Sequence, residues 1–138
     1  MCHGEDGAGL GGVFPDVRHL PAGYFAWITR NGRSGTAMSA FTPQSISDND
    51  IQAANAYLNA IPLPESGEEL YTDLCSSCHG AAGVGKTGRG PSITAKALTE
   101  VVRSGKGGDN YAGEEYMPAF STQMLPDAAL LAIETYLK

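Results

Sequence analysis

The chain has 138 residues, with 9 Lys and Arg against 15 Asp and Glu, and a formal net charge of −6. The few, scattered cations exclude a nucleic-acid-binding surface, and no stretch is apolar over enough length to span a membrane. With 18 glycines and 8 prolines, the chain reads as long loops joining a few helices, and strand signals are weak.

In chain order, the first recognisable run is Cys2-His3-Gly4-Glu5-Asp6-Gly7-Ala8-Gly9, with Pro15 standing 12 residues after His3. Arg30-Asn31-Gly32 and Met38-Ser39-Ala40-Phe41 follow. A helix is predicted over Asp48–Leu58, where the acidic Asp48 near its start favours the free N–H groups of a helix N-terminus. Pro62-Leu63-Pro64-Glu65-Ser66-Gly67 is a short, stiff connection. A helix over Gly67–Leu74 leads into Cys75-Ser76-Ser77-Cys78-His79. A further helical stretch is predicted over Thr94–Arg103, and Tyr116-Met117-Pro118-Ala119-Phe120 comes next. The closing helix, Pro126–Leu137, carries Leu130, Leu131, Ile133 and Leu137 at helical spacing, with Asp127 near its start.

Two cysteines separated by two residues and followed at once by histidine form the attachment signature of a c-type haem. Each thiol adds to one vinyl group of the porphyrin, so the sulfurs must lie a fixed distance apart, and the next residue falls under the iron. One axial position then remains, and Met117, 38 residues after His79, is the candidate for it, with Met124 as runner-up. A Cys-x-x-Cys pair also serves as a redox dithiol or as half of a zinc site. The dithiol motif wants a preceding strand, and no further Cys or His follows His79. Methionine is also a core gap filler, which is the plainer reading of Met117.

The first half repeats the second. Cys2-His3-Gly4 aligns with Cys78-His79-Gly80, Pro15 with Pro91, and Arg30-Asn31-Gly32 with Arg103-Ser104-Gly105. Met38-Ser39-Ala40-Phe41 aligns with Met117-Pro118-Ala119-Phe120, and Ala56-Tyr57-Leu58 with Thr135-Tyr136-Leu137. The offset is 76 at the histidines and 79 at the methionines. On this register Met1 takes the place of the second "x" of the motif, and the first copy has neither an opening helix nor a first cysteine. The expectation is a longer natural protein, with an in-frame Cys codon two positions before Met1. As the chain stands, the first site comprises Cys2, His3 and Met38.

On these residues the stretch from about Glu65 to Lys138 resembles a small class I bacterial cytochrome c. Helix, Cys-x-x-Cys-His, a glycine-rich run, Gly90-Pro91, a second helix, the methionine segment and a last helix occur in that family's order. With the repeat, the chain resembles a tandem dihaem cytochrome c. The resemblance implies an all-α fold of two tandem cytochrome c-like haem domains, residues 1–61 and 67–138, joined by a linker at 62–66. It implies two haem c groups, the first tethered through Cys2 alone and the second through Cys75 and Cys78. It implies iron ligands His79 and Met117 in the second domain and His3 and Met38 in the first. The Pro91 carbonyl would accept the Nδ1 proton of His79, and Pro15 would serve His3 in the same way, fixing the tautomer that leaves the other nitrogen for iron. In that family the first and last helices pack together, so residues 48–60 are expected to lack their partner and the first domain to be loose. Tyr116, Phe120, Val102, Trp27 and Phe41 are candidate pocket walls or plain core residues. Arg30 and Arg103 are candidates to pair with haem propionates or to lie solvated.

His/Met ligation fills both axial positions, so the expected function is the relay of single electrons, not an enzymatic reaction. Redox proteins such as a dehydrogenase, an oxidase or a membrane complex are the expected partners, and an acidic surface favours a basic patch on them. Haem attachment in this family takes place outside the bacterial cytoplasm, so a periplasmic or extracytoplasmic location is expected. The rival readings are a haem-containing subunit or module of a larger oxidoreductase, a dihaem enzyme, for instance a thiosulfate-oxidising one with an open axial site at His3, and a monohaem cytochrome whose first copy serves for docking. Each copy has about 70 residues, and a core of that size supplies only about 3–5 kcal/mol; a haem adds the apolar plate that such a core lacks.

Overall fold

A computed structural model describes residues 2–10, 13–113 and 115–138. Met1, aligned above with a position inside the haem motif, lies outside the described residues. Among those described, the chain is helical and has no strand: α1 (Ala22–Asn31), α2 (Asp48–Ala60), α3 (Gly67–Leu74), α4 (Ser76–His79), a 3-10 turn (Ala81–Gly83), α5 (Thr99–Ser104) and α6 (Asp127–Tyr136). None of these helices is long and apolar enough to cross a membrane.

Local chemistry explains most of the boundaries. Ser47 caps α2 by accepting from the Asp50 N–H, and the Asp50 carboxylate accepts in return from the Ser47 N–H, a reciprocal box that satisfies free donors at the helix start. Ser66 caps α3 through the Glu69 N–H. α5 begins later than the predicted Thr94, because Ala95 takes a left-handed φ of 53° and its N–H is tied to the Leu137 carbonyl at 3.1 Å. α1 lies outside the predicted helices. Its Tyr24, Phe25, Trp27, Ile28 and Thr29 are aromatic or β-branched and rank low as helix formers. Pro21 before it and Gly32 after it, at φ 65°, are the stop signals that bound it.

The main core lies in the second half. α3 packs on α6, and Gly67 makes the contact close, since a Cβ there would stand 2.1 Å from the Ala132 carbonyl oxygen. Leu70 and Tyr71 of α3 are 1% exposed, as is Ile133 of α6, and Tyr71 packs on Tyr136 with ring centroids 5.6 Å apart. Leu98, Val102, Phe120, Leu125, Leu130 and Leu137 complete the cluster. The first half buries Ile51 and Leu58, together with the polar His19, Thr29 and Asn55. There α2 packs on α1, and Asn55 and Asn59 both donate to the Leu20 carbonyl, at 3.0 and 3.1 Å. Tyr57, the counterpart of Tyr136, is 62% exposed.

The halves share a backbone plan. The Val17 N–H donates to the Gly7 carbonyl as Ile93 does to Gly83, and Phe41 donates to Thr29 as Phe120 does to Val102. A Cβ on Gly7 would strike Leu58, and one on Gly83 would strike Leu137, so even the side chain that closes each loop is the same. The halves also touch. Arg18 pairs with Asp73 of α3 at 2.8 Å, and α1 packs its aromatic rings against Tyr111 and Tyr116.

Candidate functional site

Cys75, Cys78 and His79 occupy a single helical turn. Cys75 closes α3 and precedes α4, and its carbonyl accepts from the N–H groups of Cys78 and His79, at 3.2 and 2.9 Å. Positions i, i+3 and i+4 of such a turn share one face, so both sulfurs and the imidazole project to the same side. All the cysteines are free thiols, with Cys2 exposed and Cys75 and Cys78 half-buried. Burial, with a smaller contribution from Cys78, pushes the Cys75 thiol up to about 12. A redox dithiol needs the opposite, a thiol whose pKa is lowered so that the thiolate is present.

His79 is buried, and its Nδ1 lies 2.8 Å from the Pro91 carbonyl oxygen. A carbonyl only accepts, so Nδ1 is the donor, and in the neutral ring Nε2 keeps its lone pair for a metal. Gly90 permits this approach. A Cβ on it would stand 3.0 Å from Nδ1 and 2.9 Å from the Cys78 carbonyl oxygen. The Gly85 N–H donates to the His79 carbonyl at 2.7 Å, and the Tyr71 hydroxyl donates to the Gly80 carbonyl, so the loop after the motif is tied back to α3.

The first half reproduces the histidine geometry. His3 Nδ1 donates to the Pro15 carbonyl at 2.8 Å, and the Gly9 N–H donates to the His3 carbonyl at 2.9 Å. Phe14 meets the His3 ring edge-on, with centroids 6.1 Å apart.

The methionine segments correspond as well. Met117 and Lys106 exchange both backbone hydrogen bonds, at 2.9 and 3.0 Å, and the Arg33 N–H donates to the Met38 carbonyl at 2.9 Å. Gly105 and Gly32, each at φ 65°, admit these turns, since a Cβ would stand 2.7 Å from the Met117 carbonyl oxygen and 2.6 Å from that of Met38. Met117 packs against the main core, and so does Met124. Phe120 and Val102 are core residues, whereas Phe41 is 38% exposed. Arg30 and Arg103 are each held by partners within the protein. Arg103 donates to the Phe120 carbonyl at 2.9 Å and to Asp127 at 2.6 Å. Arg30 does the same with Phe41, at 3.1 Å, and Asp48, at 2.6 Å. Each arginine thus links the end of one helix to the start of the next, and the protein itself supplies the carboxylate.

His19 escaped the motif-based reading, because nothing in its local spacing marks it. It is 4% exposed, its φ is 59°, and its Nε2 has no hydrogen-bond partner among the described residues. Burial, reinforced by Arg18, holds its pKa below the ordinary histidine value. It lines a cleft at the linker with Asn59, Ile61, Leu63, Gln123 and Met124.

Among the described residues, no cluster of three or more His, Cys, Asp or Glu side chains is placed to hold a metal ion, so the zinc reading finds no ligand set there. An imidazole with a free Nε2, two unpaired thiols on the same helical face and a thioether in the methionine segment are a donor set suited to covalently held haem iron.

Comparison with known proteins agrees with this chemistry. A family model described as "Cytochrome C oxidase, cbb3-type, subunit III" matches residues 1–58 and again residues 62–137. The chain is 34% identical over 77 residues to the "Cytochrome bc1 complex cytochrome c subunit" of Corynebacterium diphtheriae, a stretch that is 56% of this chain and 25% of that protein. The chain thus spans about a quarter of the length of the curated relative it matches. The crystal structure of reduced recombinant cytochrome c4 from Pseudomonas stutzeri aligns with 99% of this chain and 90% of that one, at 20% identity and a TM-score of 0.34.

Proposed function

Because the chain belongs to the family of the cbb3-type cytochrome c oxidase subunit III, we propose that it works in haem-based electron transfer, carrying single electrons on two covalently held, His/Met-ligated c-type haems, one in each copy of the repeat. The observation that supports this most strongly is the duplicated histidine geometry, Nδ1 to a proline carbonyl at 2.8 Å in both halves. It prepares the same ligand twice.

A bound haem supplies a one-electron iron couple; the chain decides how that couple is held and tuned. Cys75 and Cys78 tether it in the second domain, residues 67–138, where His79 presents Nε2 and Met117 its sulfur. Cys2, His3 and Met38 take those parts in the first domain, residues 1–61, with residues 62–66 as linker. The Pro91 and Pro15 carbonyls hold the imidazoles in one tautomer and make them better donors. A thioether as the other ligand raises the reduction potential. With a histidine and a methionine that would both ligate the iron, the chain would serve as a carrier, not as an enzyme acting on a bound substrate. Its formal charge of −6 suits a basic docking patch on a redox protein, such as a dehydrogenase, an oxidase or a membrane complex. The place of work is extracytoplasmic, in the periplasm or its equivalent.

Carbon monoxide separates the carrier from a dihaem enzyme. Both haems of the reduced protein should resist it, and Met117→Ala and Met38→Ala should each open one haem to binding. Avid binding at the His3 haem of the unaltered protein would instead favour an enzyme with an open axial site.

A further inference from the structure

The segment that carries Met117 is anchored in its own half at its end, where Met117 and Lys106 exchange both backbone hydrogen bonds and Met117 packs against the main core. Among the described residues between Lys106 and Met117 the backbone bonds are short local turns, with Asn110 donating to Gly107, Tyr111 to Asp109, Gly113 to Asn110 and Tyr116 to Gly113. Gly107 and Gly108 both take left-handed φ values, 83° and 54°. The loop between those anchors leans also on the other half of the molecule. Tyr116, the residue before Met117, stacks on Tyr24 of α1, with centroids 5.1 Å apart and planes at 30°. Tyr111 lies edge-on to Tyr116 at 5.2 Å and also meets Tyr24, at 6.1 Å, and Trp27, at 6.0 Å. Gly23 lets α1 come this close, because a Cβ there would stand 2.4 Å from the Tyr111 hydroxyl.

We propose that α1 of the first half is a clamp on the methionine loop of the second, with Tyr24 as a positioning residue that keeps Met117 in place. This rests on the reading of Met117 as an iron ligand. Aromatic pairs add stability beyond their buried area, and their geometry is directional, so a ring stacked next to Met117 limits how far the loop swings away. The consequence is that ligation at the second haem depends on a helix outside the domain that binds it.

The test uses the haem-loaded full chain. Carbon monoxide binding to the reduced protein is followed through the Met117 methyl resonance, which haem ring current carries far upfield and which vanishes when methionine is displaced. Loss of one aromatic stack raises the open population of the loop about three- to ten-fold, and the binding rate at the second haem with it. That increase is expected for Tyr24→Ala and, approached from the loop side, for Tyr111→Leu. Tyr24→Phe, which keeps the ring, should bind at the unaltered rate. Haem content and circular dichroism equal to those of the parent protein show that each variant is folded. Parental rates in both Tyr24→Ala and Tyr111→Leu, alongside fast binding in Met117→Ala, would overturn the clamp. A Met117→Ala protein that keeps the upfield methyl resonance would overturn the ligand assignment, and the clamp with it.

Discussion

His79 donates its Nδ1 proton to the Pro91 carbonyl at 2.8 Å, and that contact exists because residue 90 has no side chain. A methyl group on Gly90 would stand 2.9 Å from the Cys78 carbonyl oxygen, closer than carbon tolerates, and 3.0 Å from Nδ1, tight enough that the ring must give way. Gly90→Ala is therefore expected to push the imidazole off its carbonyl and weaken it as a donor. A weaker donor stabilises oxidised iron less, so the potential of the second haem should rise by about 30–60 mV, the one-electron equivalent of about a three- to ten-fold change. Spectroelectrochemistry reads it. An unchanged potential in folded, haem-loaded protein would show that the hydrogen bond has no hold on the ligand.

Arg18 sits between two carboxylates, Asp16 in its own half and Asp73 of α3. Burial and then Asp16 push the Asp73 carboxyl up, while Arg18 opposes them. Arg18→Ala leaves the two acids facing each other uncompensated. The arginine and Asp73 side chains are 14% and 21% exposed, so the cost should fall below that of breaking a fully buried pair, at about 1–3 kcal/mol. Asp73→Asn keeps the Arg18–Asp16 pair and should cost less. Chemical denaturation ranks the two, and the reverse order would refute this reading of the triad.

Buried His19 predicts acid lability. Desolvation and Arg18 disfavour its charged form, while Asp16 opposes them more weakly; the cleft neighbours Asn59 and Gln123 carry no charge. Its folded pKa lies below the ordinary 6.5, so the unfolded chain binds the proton first. The stability contributed by neutral His19 is complete above 6.5 and is lost as the pH falls from there through the lower folded value. His19→Gln should therefore flatten the pH dependence of the denaturation midpoint as the pH falls below about 6.5. Parallel curves for the two proteins would remove His19 as the cause.

At the contact of α3 with α6, Gly67→Ala would place a methyl group 2.1 Å from the Ala132 carbonyl oxygen. Backbone is met here, so the helices must move apart. Overpacking of this kind costs about 1–3 kcal/mol. Thermal unfolding should register the loss, and a midpoint equal to that of the parent would mean that the two helices are not held at the observed distance.

Much of this was legible in the residues. α3 and α6 announce themselves through apolar spacing and nearby caps, and the haem motif is one helical turn, local by nature. The repeat carries the first half along, so that His3, Pro15 and Met38 are found by register alone. α1 is harder to read because its aromatic and β-branched residues rank low as helix formers, although Pro21 and Gly32 mark its ends. The Arg30–Asp48 and Arg103–Asp127 pairs span 18 and 24 residues, and no local rule joins groups so far apart. The aromatic seam between the halves is a contact of two copies of one unit. A pattern read within each copy says nothing of what the copies present to each other.

Whether each copy binds a haem is the central question, and the intact mass of protein made with c-type maturation machinery answers it most directly, read with a reduced pyridine spectrum. Two haems per chain are expected, with a red-shifted band from the one attached through Cys2 alone. A single haem, or none, would contradict the two-centre carrier.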